Sequence, residues 1–154
     1  MRDILFRGQT RRKGEYIVNM AGDRCESHWV YGGIFPQNKD GDFAIIYQQE
    51  PEIRKFTVYA ETVGQYTGLT DKNGTKIFEG DIVRYGTNTD RADNKEIYEV
   101  VFETRGESRY FGIRISEIET WQFCFEVPAK LMEVIGNIHD NPELLGGENN
   151  GINR

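Results

Sequence analysis

The feature that most constrains this chain is the alternation of apolar and polar residues in short runs separated by Gly, Asn and Asp. In residues 121–127, Trp, Phe, Phe and Val occupy every second position, with Gln, Cys and Glu between them. A period of two places alternate side chains on opposite faces of a β-strand, whereas a helix needs a period near 3.6. Residues 53–60 and 110–115 follow the same pattern. We therefore predict a mostly β chain of short antiparallel strands, each burying one face.

Turn signals separate these runs. Asn73-Gly74 can supply the positive φ values of a tight hairpin within residues 67–78. Glu79-Gly80-Asp81 predicts a second sharp turn, and this region is similar in turn geometry to small SH3-like barrels. Residues 141–146 predict a short helical turn, with Asn at the N-cap, Pro at the first helical position and Gly past the end.

Taken together, the runs and turns predict one domain over residues 1–145 and a C-terminal tail at 146–154. Its core would be barrel-like, possibly of the SH3-like type. The first two strands, within residues 2–10 and 15–20, would be joined by an Arg-Arg-Lys-Gly turn.

Charge and composition narrow the classes of function. The 154 residues carry a net charge of −6, so the chain lacks the Lys and Arg excess of proteins that coat DNA or anionic membranes. No run approaches the roughly 18 apolar residues of a membrane span, and no apolar segment typical of a secretory signal follows the basic start. Cys25 and Cys124 lie far apart and are expected to be reduced thiols. We expect a cytoplasmic protein that binds no membrane.

Catalytic and metal-binding motifs are weak. The phosphate loop, the dinucleotide fingerprint, the zinc-protease motif and the nucleophile elbow are all absent from the sequence. A zinc site from Cys25, His28, Cys124 and His139 is conceivable, but the second pair lacks ligand spacing, so separate side chains are favoured. We predict no enzyme activity, no cofactor and no metal.

Four segments with acidic residues have a functional and a structural interpretation. Residues 38–42 and 71–75 begin like calcium loops, but neither has the Gly that the loop requires. Glu79 and Asp81 could act as an acid and a base, and His139-Asp140 as a dyad. In each case a turn is the favoured interpretation, because Asp and Asn side chains commonly bond to their own backbone.

Basic side chains cluster in two places. Residues 1–14 hold five basic side chains against one acid. A second segment interleaves cations with aromatic rings, as proteins that hold single strands on a β surface do. Its candidate nucleic-acid contacts are Arg105, Arg109, Tyr110 and Arg114. The alternative is a hairpin with a polar outer face, which the acidic total favours.

Three blocks of sequence stand out: residues 1–8 (MRDILFRG), residues 63–74 with 77–83 (VGQYTGLTDKNG and IFEGDIV), and residues 134–145 (VIGNIHDNPELL). Together they resemble the YopX family, which occurs in bacteriophages and in prophage regions of bacteria. The resemblance implies a small phage or prophage accessory protein. The family has no assigned reaction, so the resemblance transfers no catalytic residue.

The central block is interpreted as a fold signature, since it consists of glycines, turn residues and apolar anchors. Its glycines would adopt unusual backbone angles in a hairpin, and its Tyr and Leu would pack. The signature residues are Gly64, Tyr66, Gly68, Leu69, Gly74, Gly80 and Asp81.

The sequence thus favours a non-catalytic binding or protein-interaction module whose partner is an unidentified host or phage protein. Its contact regions would be exposed β surfaces and the polar loop Gly86–Glu96. A homo-oligomer is also predicted, because unpaired sheet edges need cover. The alternative is a nucleic-acid-binding module that uses the Arg105–Arg114 hairpin and the basic N-terminal segment.

Overall fold

The computed structural model describes residues 4–10, 16–18, 24–26, 28–36, 41–48, 53–86, 96–115, 117–123 and 128–145. The chain divides into two compact units, residues 1–66 and residues 67–154, called here the first unit and the second unit. The sequence predicted a single domain over 1–145. Most described residues lie in antiparallel strands, so the mostly β class is confirmed.

The first unit contains six strands and one 3-10 helix. The strands are β1 (Phe6–Gln9), β2 (Tyr16–Val18), β3 (Arg24–Glu26), β4 (Trp29–Pro36), β5 (Phe43–Gln48) and β6 (Arg54–Tyr59). The helix is Ala60–Thr62, and a seventh strand, β7 (Gly64–Thr70), begins in this unit and ends in the second. Within this unit the strands pair in the order β6-β5-β4-β1, and β1 also pairs with the first residues of β7.

Pairing at the start of the chain differs from the sequence interpretation. β1 pairs with β4 and β7, whereas β2 pairs with β3 in a separate two-stranded sheet. Residues 11–15, which hold the turn expected to join the first two strands, lie outside the described residues. β1 and β2, which are neighbours in sequence, are therefore not paired with each other.

The core of the first unit is small. Alternate residues of β4, β5 and β6 point to one side of the sheet, which buries Val30, Ala44, Ile46 and Val58. Gly8 of β1 faces the same side, where a Cβ would come within 2.8 Å of the Val58 side chain. A glycine at this position lets the strand pack closely on the core.

The second unit contains the end of β7 and six further strands. They are β8 (Lys76–Phe78), β9 (Asp81–Tyr85), β10 (Glu96–Arg105), β11 (Ser108–Arg114), β12 (Thr120–Gln122) and β13 (Met132–Asn137). Two 3-10 helices, Ala129–Leu131 and Pro142–Leu145, accompany them. The last five strands form an antiparallel sheet in the order β12-β11-β10-β9-β13, and β8 lies beside β7.

The core of the second unit is larger and contains aromatic residues. Its buried members are Ile77, Val83, Tyr98, Val100, Ile113, Phe123, Ala129 and Met132. Phe111, Ile115 and Trp121 pack against this cluster. The period-two prediction for residues 110–115 is confirmed, since Phe111, Ile113 and Ile115 share the inner face.

The barrel-like, SH3-like core is not confirmed. Each sheet has a linear strand order with two ends among the described residues, and no closed ring of strands is found there. The predicted C-terminal helical turn is present as Pro142–Leu145. The tail at 146–154, residues 87–95 of the polar loop and the basic residues at 11–13 lie outside the described residues. No described helix has the length and apolar character needed to cross a membrane.

Candidate functional site

The turn between β7 and β8 is built around the buried carboxylate of Asp71, which is 1% exposed. Its Oδ1 accepts hydrogen bonds from the backbone N–H groups of Asn73 at 2.8 Å and Thr75 at 2.9 Å. Its Oδ2 accepts one from Val134 of β13 at 2.9 Å. Gly74 completes the turn with a φ of +83°. The calcium-like start of this segment is thus a turn whose carboxylate is occupied by the backbone.

The pKa of Asp71 reflects this environment. Burial alone would raise it, but the three backbone N–H donors, with Lys72 nearby, hold the pKa below its ordinary value of 3.8. Hydrogen bonds to the charged form favour that form. The carboxylate is therefore ionised at neutral pH and stabilises the turn by accepting these backbone hydrogen bonds.

The turn after β8 also contains a buried carboxylate that accepts a backbone hydrogen bond. The Asp81 carboxylate, 1% exposed, accepts a hydrogen bond from the backbone N–H of Phe78 at 2.7 Å. Gly80 has a φ of +81°, donates to the carbonyl of Val100 and accepts from the N–H of Ile138. Asp81 is thus structurally engaged and is not a solvated carboxylate poised for acid–base chemistry.

Other residues of the central block also have structural roles. The Thr67 hydroxyl donates a hydrogen bond to the carbonyl of Ile77 at 2.9 Å, and Gly68, within β7, has a φ of +85°. Leu69 packs against the second core and Tyr66 is buried. Gly64 lies within β7 opposite Arg7 and is not among the positive-φ glycines.

The closing block forms a polar turn at the end of β13. The Asn137 side-chain oxygen accepts hydrogen bonds from the N–H groups of His139 at 3.0 Å and Asp140 at 2.9 Å. The Asn137 amide donates to the Asp140 carboxylate at 3.0 Å. The His139-Asp140 pair is thus part of a hydrogen-bonded turn.

The basic hairpin is formed by β10 and β11, and its four candidate residues do not share one face. Arg105, Tyr110 and Arg114 occupy one face, and the Arg105 guanidinium lies 5.9 Å from the Tyr110 ring centre. Arg109 lies opposite Thr104 on the other face. The sheet therefore separates one cation from the other two.

Glutamates lie beside Arg114, one of the two arginines that share a face of the hairpin. Arg114 lies 3.5 Å from Glu99 and 3.4 Å from Glu103. Residues 96–114 carry three arginines and four glutamates, so the hairpin has no net positive charge. Burial raises the pKa of Glu99, with Arg114 opposing that shift and Glu103 adding to it. This surface has little electrostatic attraction for phosphates.

Metal ligands do not converge in the part of the chain that the structure describes. No group of three or more His, Cys, Asp or Glu side chains placed to hold a metal occurs there. His28 is exposed, with its ring edge-on to Phe56 at 6.3 Å. Cys124 and the side chain of Cys25 lie outside the described residues.

The most distinctive surface is the outer aromatic face of the first unit, on the side of the β4–β6 sheet opposite its core. Cross-strand register places its residues together, because Gly33 pairs with Tyr47 and Phe43 with Tyr59. The outer aromatic face is defined by Tyr31, Phe35, Phe43, Tyr47 and Tyr59. Phe35 is 59% exposed, and Tyr31 and Phe43 are 42% and 40% exposed.

The rings of this face are ordered against one another. Phe35 and Tyr47 meet edge-to-face with centres 4.8 Å apart, and Phe43 and Tyr59 lie 5.3 Å apart. Such pairs add about 0.5–1.5 kcal/mol beyond the area that they bury. The Lys55 ammonium lies 5.6 Å from the Tyr47 ring centre. The face is thus a preformed apolar surface.

Charge on this side of the sheet is limited to cations. Among the described residues of β1, β4, β5 and β6, this side carries Arg7 and Lys55 and no carboxylate. Arg7 is buried and its guanidinium stacks on Trp29 at 4.6 Å. This side of the sheet is therefore shielded from solvent at β1 and accessible over β4 to β6. A contacting molecule would meet aromatic rings with one exposed cation beside them.

Sequence reasoning did not assemble this face. It placed Thr57 and Tyr59 on the side opposite the apolar residues of β6, which the structure confirms. The additional signal was the row of aromatic residues at odd positions 31, 35, 43, 47 and 59. That signal becomes visible only once the register of β4, β5 and β6 is known.

The fold and its surface define a class: a two-unit β-sheet protein with an aromatic sheet face. A family model described as YopX protein matches residues 21–146, and the chain belongs to the YopX family. No curated protein matches it. Among solved structures, it is similar to the crystal structure of protein EF1440 from Enterococcus faecalis, with 23% identity and a TM-score of 0.46. That alignment covers 92% of this chain and 98% of the other.

Proposed function

We propose that this protein is a non-catalytic binding protein that contacts a partner protein through the outer aromatic face. In this proposal it is a phage- or prophage-encoded accessory protein that acts in the bacterial cytoplasm. The observation that carries the proposal is the exposure of Tyr31, Phe35 and Phe43 on one side of one sheet.

Exposed aromatic clusters support a protein partner. Contiguous apolar patches on a protein surface commonly mark interaction sites. The buried centres of protein–protein interfaces are enriched in Tyr, Trp and Phe and depleted of charged residues. The outer aromatic face has this composition, with Lys55 as its one exposed described cation.

Nucleic-acid binding by the Arg105–Arg114 hairpin and the basic N-terminal segment is the alternative. The glutamates beside Arg114 and the placement of Arg109 on the other side of the sheet argue against it. The acidic net charge of −6 adds to that argument. Single-strand binding also depends on a positively charged groove. The three arginines of the hairpin lie on two sides of the sheet and do not form one.

Affinity capture from a bacterial lysate, with and without nuclease, tests the proposal when face variants are included. The test variant is Tyr31→Thr with Phe35→Thr, which keeps strand-forming residues. Phe102→Thr is the control, because Phe102 is 42% exposed on the second unit, as Tyr31 is on the first. We expect one nuclease-resistant protein whose recovery falls about tenfold or more in the test variant, as for interface hot spots, and is unchanged in the control.

Two outcomes would overturn the proposal. Equal recovery by the test variant would show that the partner binds elsewhere. Recovery of nucleic acid that is lost as salt rises would instead support the alternative. A second copy of the chain would count as the partner if light scattering shows an oligomer that the test variant dissociates.

A further inference from the structure

We infer that the pocket beside Gly33 takes one aromatic side chain of the partner, at a point where the partner carries a carboxylate. This inference rests on the proposed function and assigns the chemistry of its central contact. The pocket is lined by Gly33, Ile34, Phe35, Tyr47 and Ile53.

The pocket exists because β4 has a glycine where the outer face would otherwise carry a side chain. Gly33 lies opposite Tyr47, and a Cβ built on Gly33 would meet nothing within 4 Å. The neighbouring outward residues, Tyr31 and Phe35, stand on either side of this gap. The missing side chain therefore leaves a depression between aromatic rings.

The size and walls of the pocket select its occupant. Its volume of about 380 Å³ is near the lower end of pockets that hold small molecules, which suits one large side chain. Phe35 and Tyr47 already meet edge-to-face, so a third ring can stack or pack edge-on against them. Ile53, 75% exposed, would be covered by that ring.

The charge at the rim selects a carboxylate. The Lys55 ammonium stands over the Tyr47 ring, and no ion pair joins it to an acid among the described residues. None of the described residues that line the pocket is acidic. Complementary charge beside an apolar anchor fixes orientation and excludes partners of the wrong sign.

Titration of the ¹⁵N-labelled full chain with two small probes tests this inference. The probes are N-acetyl-tryptophan, which carries a carboxylate, and its uncharged amide. We expect both to shift the amide signals of Gly33 and Tyr47, with dissociation constants on the order of 1 mM. The carboxylate should bind about threefold tighter at low salt, because a single exposed ion pair contributes roughly 0.2–1 kcal/mol.

Two variants assign the effect to the pocket. Gly33→Val places a Cβ in open space, occupies part of the depression and puts a β-branched residue in a strand, so it should fold and lose binding of both probes. Lys55→Gln should remove only the preference for the carboxylate. Thr57→Val is the control, because Thr57 lies on the same side of the sheet but does not line the pocket.

The result is distinguishable from a failure of the proposed function. Absence of shifts at about 20 mM probe, or equal binding by folded Gly33→Val, overturns the pocket inference. The proposed function still stands in that case if the Tyr31/Phe35 double variant loses its partner. Probe binding that is lost in Gly33→Val, with partner recovery also reduced about tenfold, supports both.

Discussion

The two units of this chain use their charged and apolar residues differently. Residues 1–66 hold nine basic and nine acidic side chains, whereas residues 67–154 hold ten basic and sixteen acidic, so the whole net charge of −6 lies in the second unit. The second unit buries two carboxylates and a core of eight residues. The first unit buries a core of four described residues and exposes aromatic rings.

Because of this difference, the polar residues of the second unit mainly stabilise the fold, whereas the first unit offers a surface for recognition. In the second unit, polar side chains are turned inward and bonded to backbone groups, which fixes the turns between strands. In the first unit, large apolar side chains are left in contact with water on one side of a sheet. A surface of that kind stabilises the isolated fold less than a buried core does, and it is available to a partner.

The two tryptophans allow the comparison to be measured. Trp29 lies in the first unit and Trp121 in the second, where it packs against the core. Trp121→Phe leaves a fluorescent reporter of the first unit, and Trp29→Phe leaves one of the second. Urea unfolding of these two backgrounds reports the units separately.

The largest expected effect is that of Asp71→Ala in the second unit. The substitution removes the buried carboxylate that accepts from three backbone N–H groups. We expect a loss of about 4 kcal/mol, since each unsatisfied buried group costs about 1–3 kcal/mol. The Trp121 transition should shift to lower urea more than the Trp29 transition. Equal shifts of both transitions would show that the two units unfold together, which would contradict separate stabilities for the two units.

The matching substitution in the first unit is Gly32→Ala, with an expected loss of about 3 kcal/mol. A Cβ on Gly32 would overlap the backbone carbonyl oxygen of Tyr47, which β4–β5 pairing holds in place. Here the Trp29 transition should shift more. Gly33→Ala is the control, because its Cβ enters open space, and it should not be destabilising. A similar loss in both variants would contradict a steric cause.

Acid should act on the second unit first. The folded-state pKa of Asp71 is below its ordinary value of 3.8, so its stabilising effect is complete above that pH and is lost as pH falls through the folded value. No carboxylate is buried among the described residues of the first unit. Below pH of about 4, the free energy of unfolding reported by Trp121 should therefore fall before that reported by Trp29. The reverse order would rule out Asp71 as the main acid-sensitive group.

The smallest expected effect on stability is that of Tyr31→Thr with Phe35→Thr. Both side chains are largely in contact with water, and Thr is compatible with a strand. We expect a loss of about 1 kcal/mol by urea unfolding, because Phe35 loses its ring contact with Tyr47. A loss of several times that size would mean that these rings support the fold, and reduced partner recovery by this variant could then be attributed to unfolding.

Much of the fold could be predicted from the sequence, because period-two alternation and turn residues act locally. Gly74 and Gly80 do adopt positive φ values in tight turns, and Ile113 does lie on the inner face of its strand. The pairing of β1 with β4 could not be predicted in this way. That pairing joins residues twenty or more positions apart and depends on the packing of both strands on a common core.

The candidate site was less predictable, for a physical reason. Outward and inward residues of a strand both alternate, and aromatic side chains are compatible with either side. Only the register that sets Tyr47 opposite Gly33 shows that rings from β4 and β5 lie beside a gap. The hairpin at Arg105 was prominent in sequence because three arginines fall within residues 105–114, whereas the structure places Arg109 on the other side of the sheet.

The outer aromatic face has one more consequence, for how such proteins can diverge. Its side chains contribute little to folding, so a substitution there changes recognition at small cost to the fold. The buried Asp71 carboxylate has the opposite property, since replacing it would destabilise the fold. A lineage could therefore exchange one partner for another by mutating β4 and β5 while its turns stay the same. Descendants would remain recognisable as relatives even after their binding targets no longer overlap.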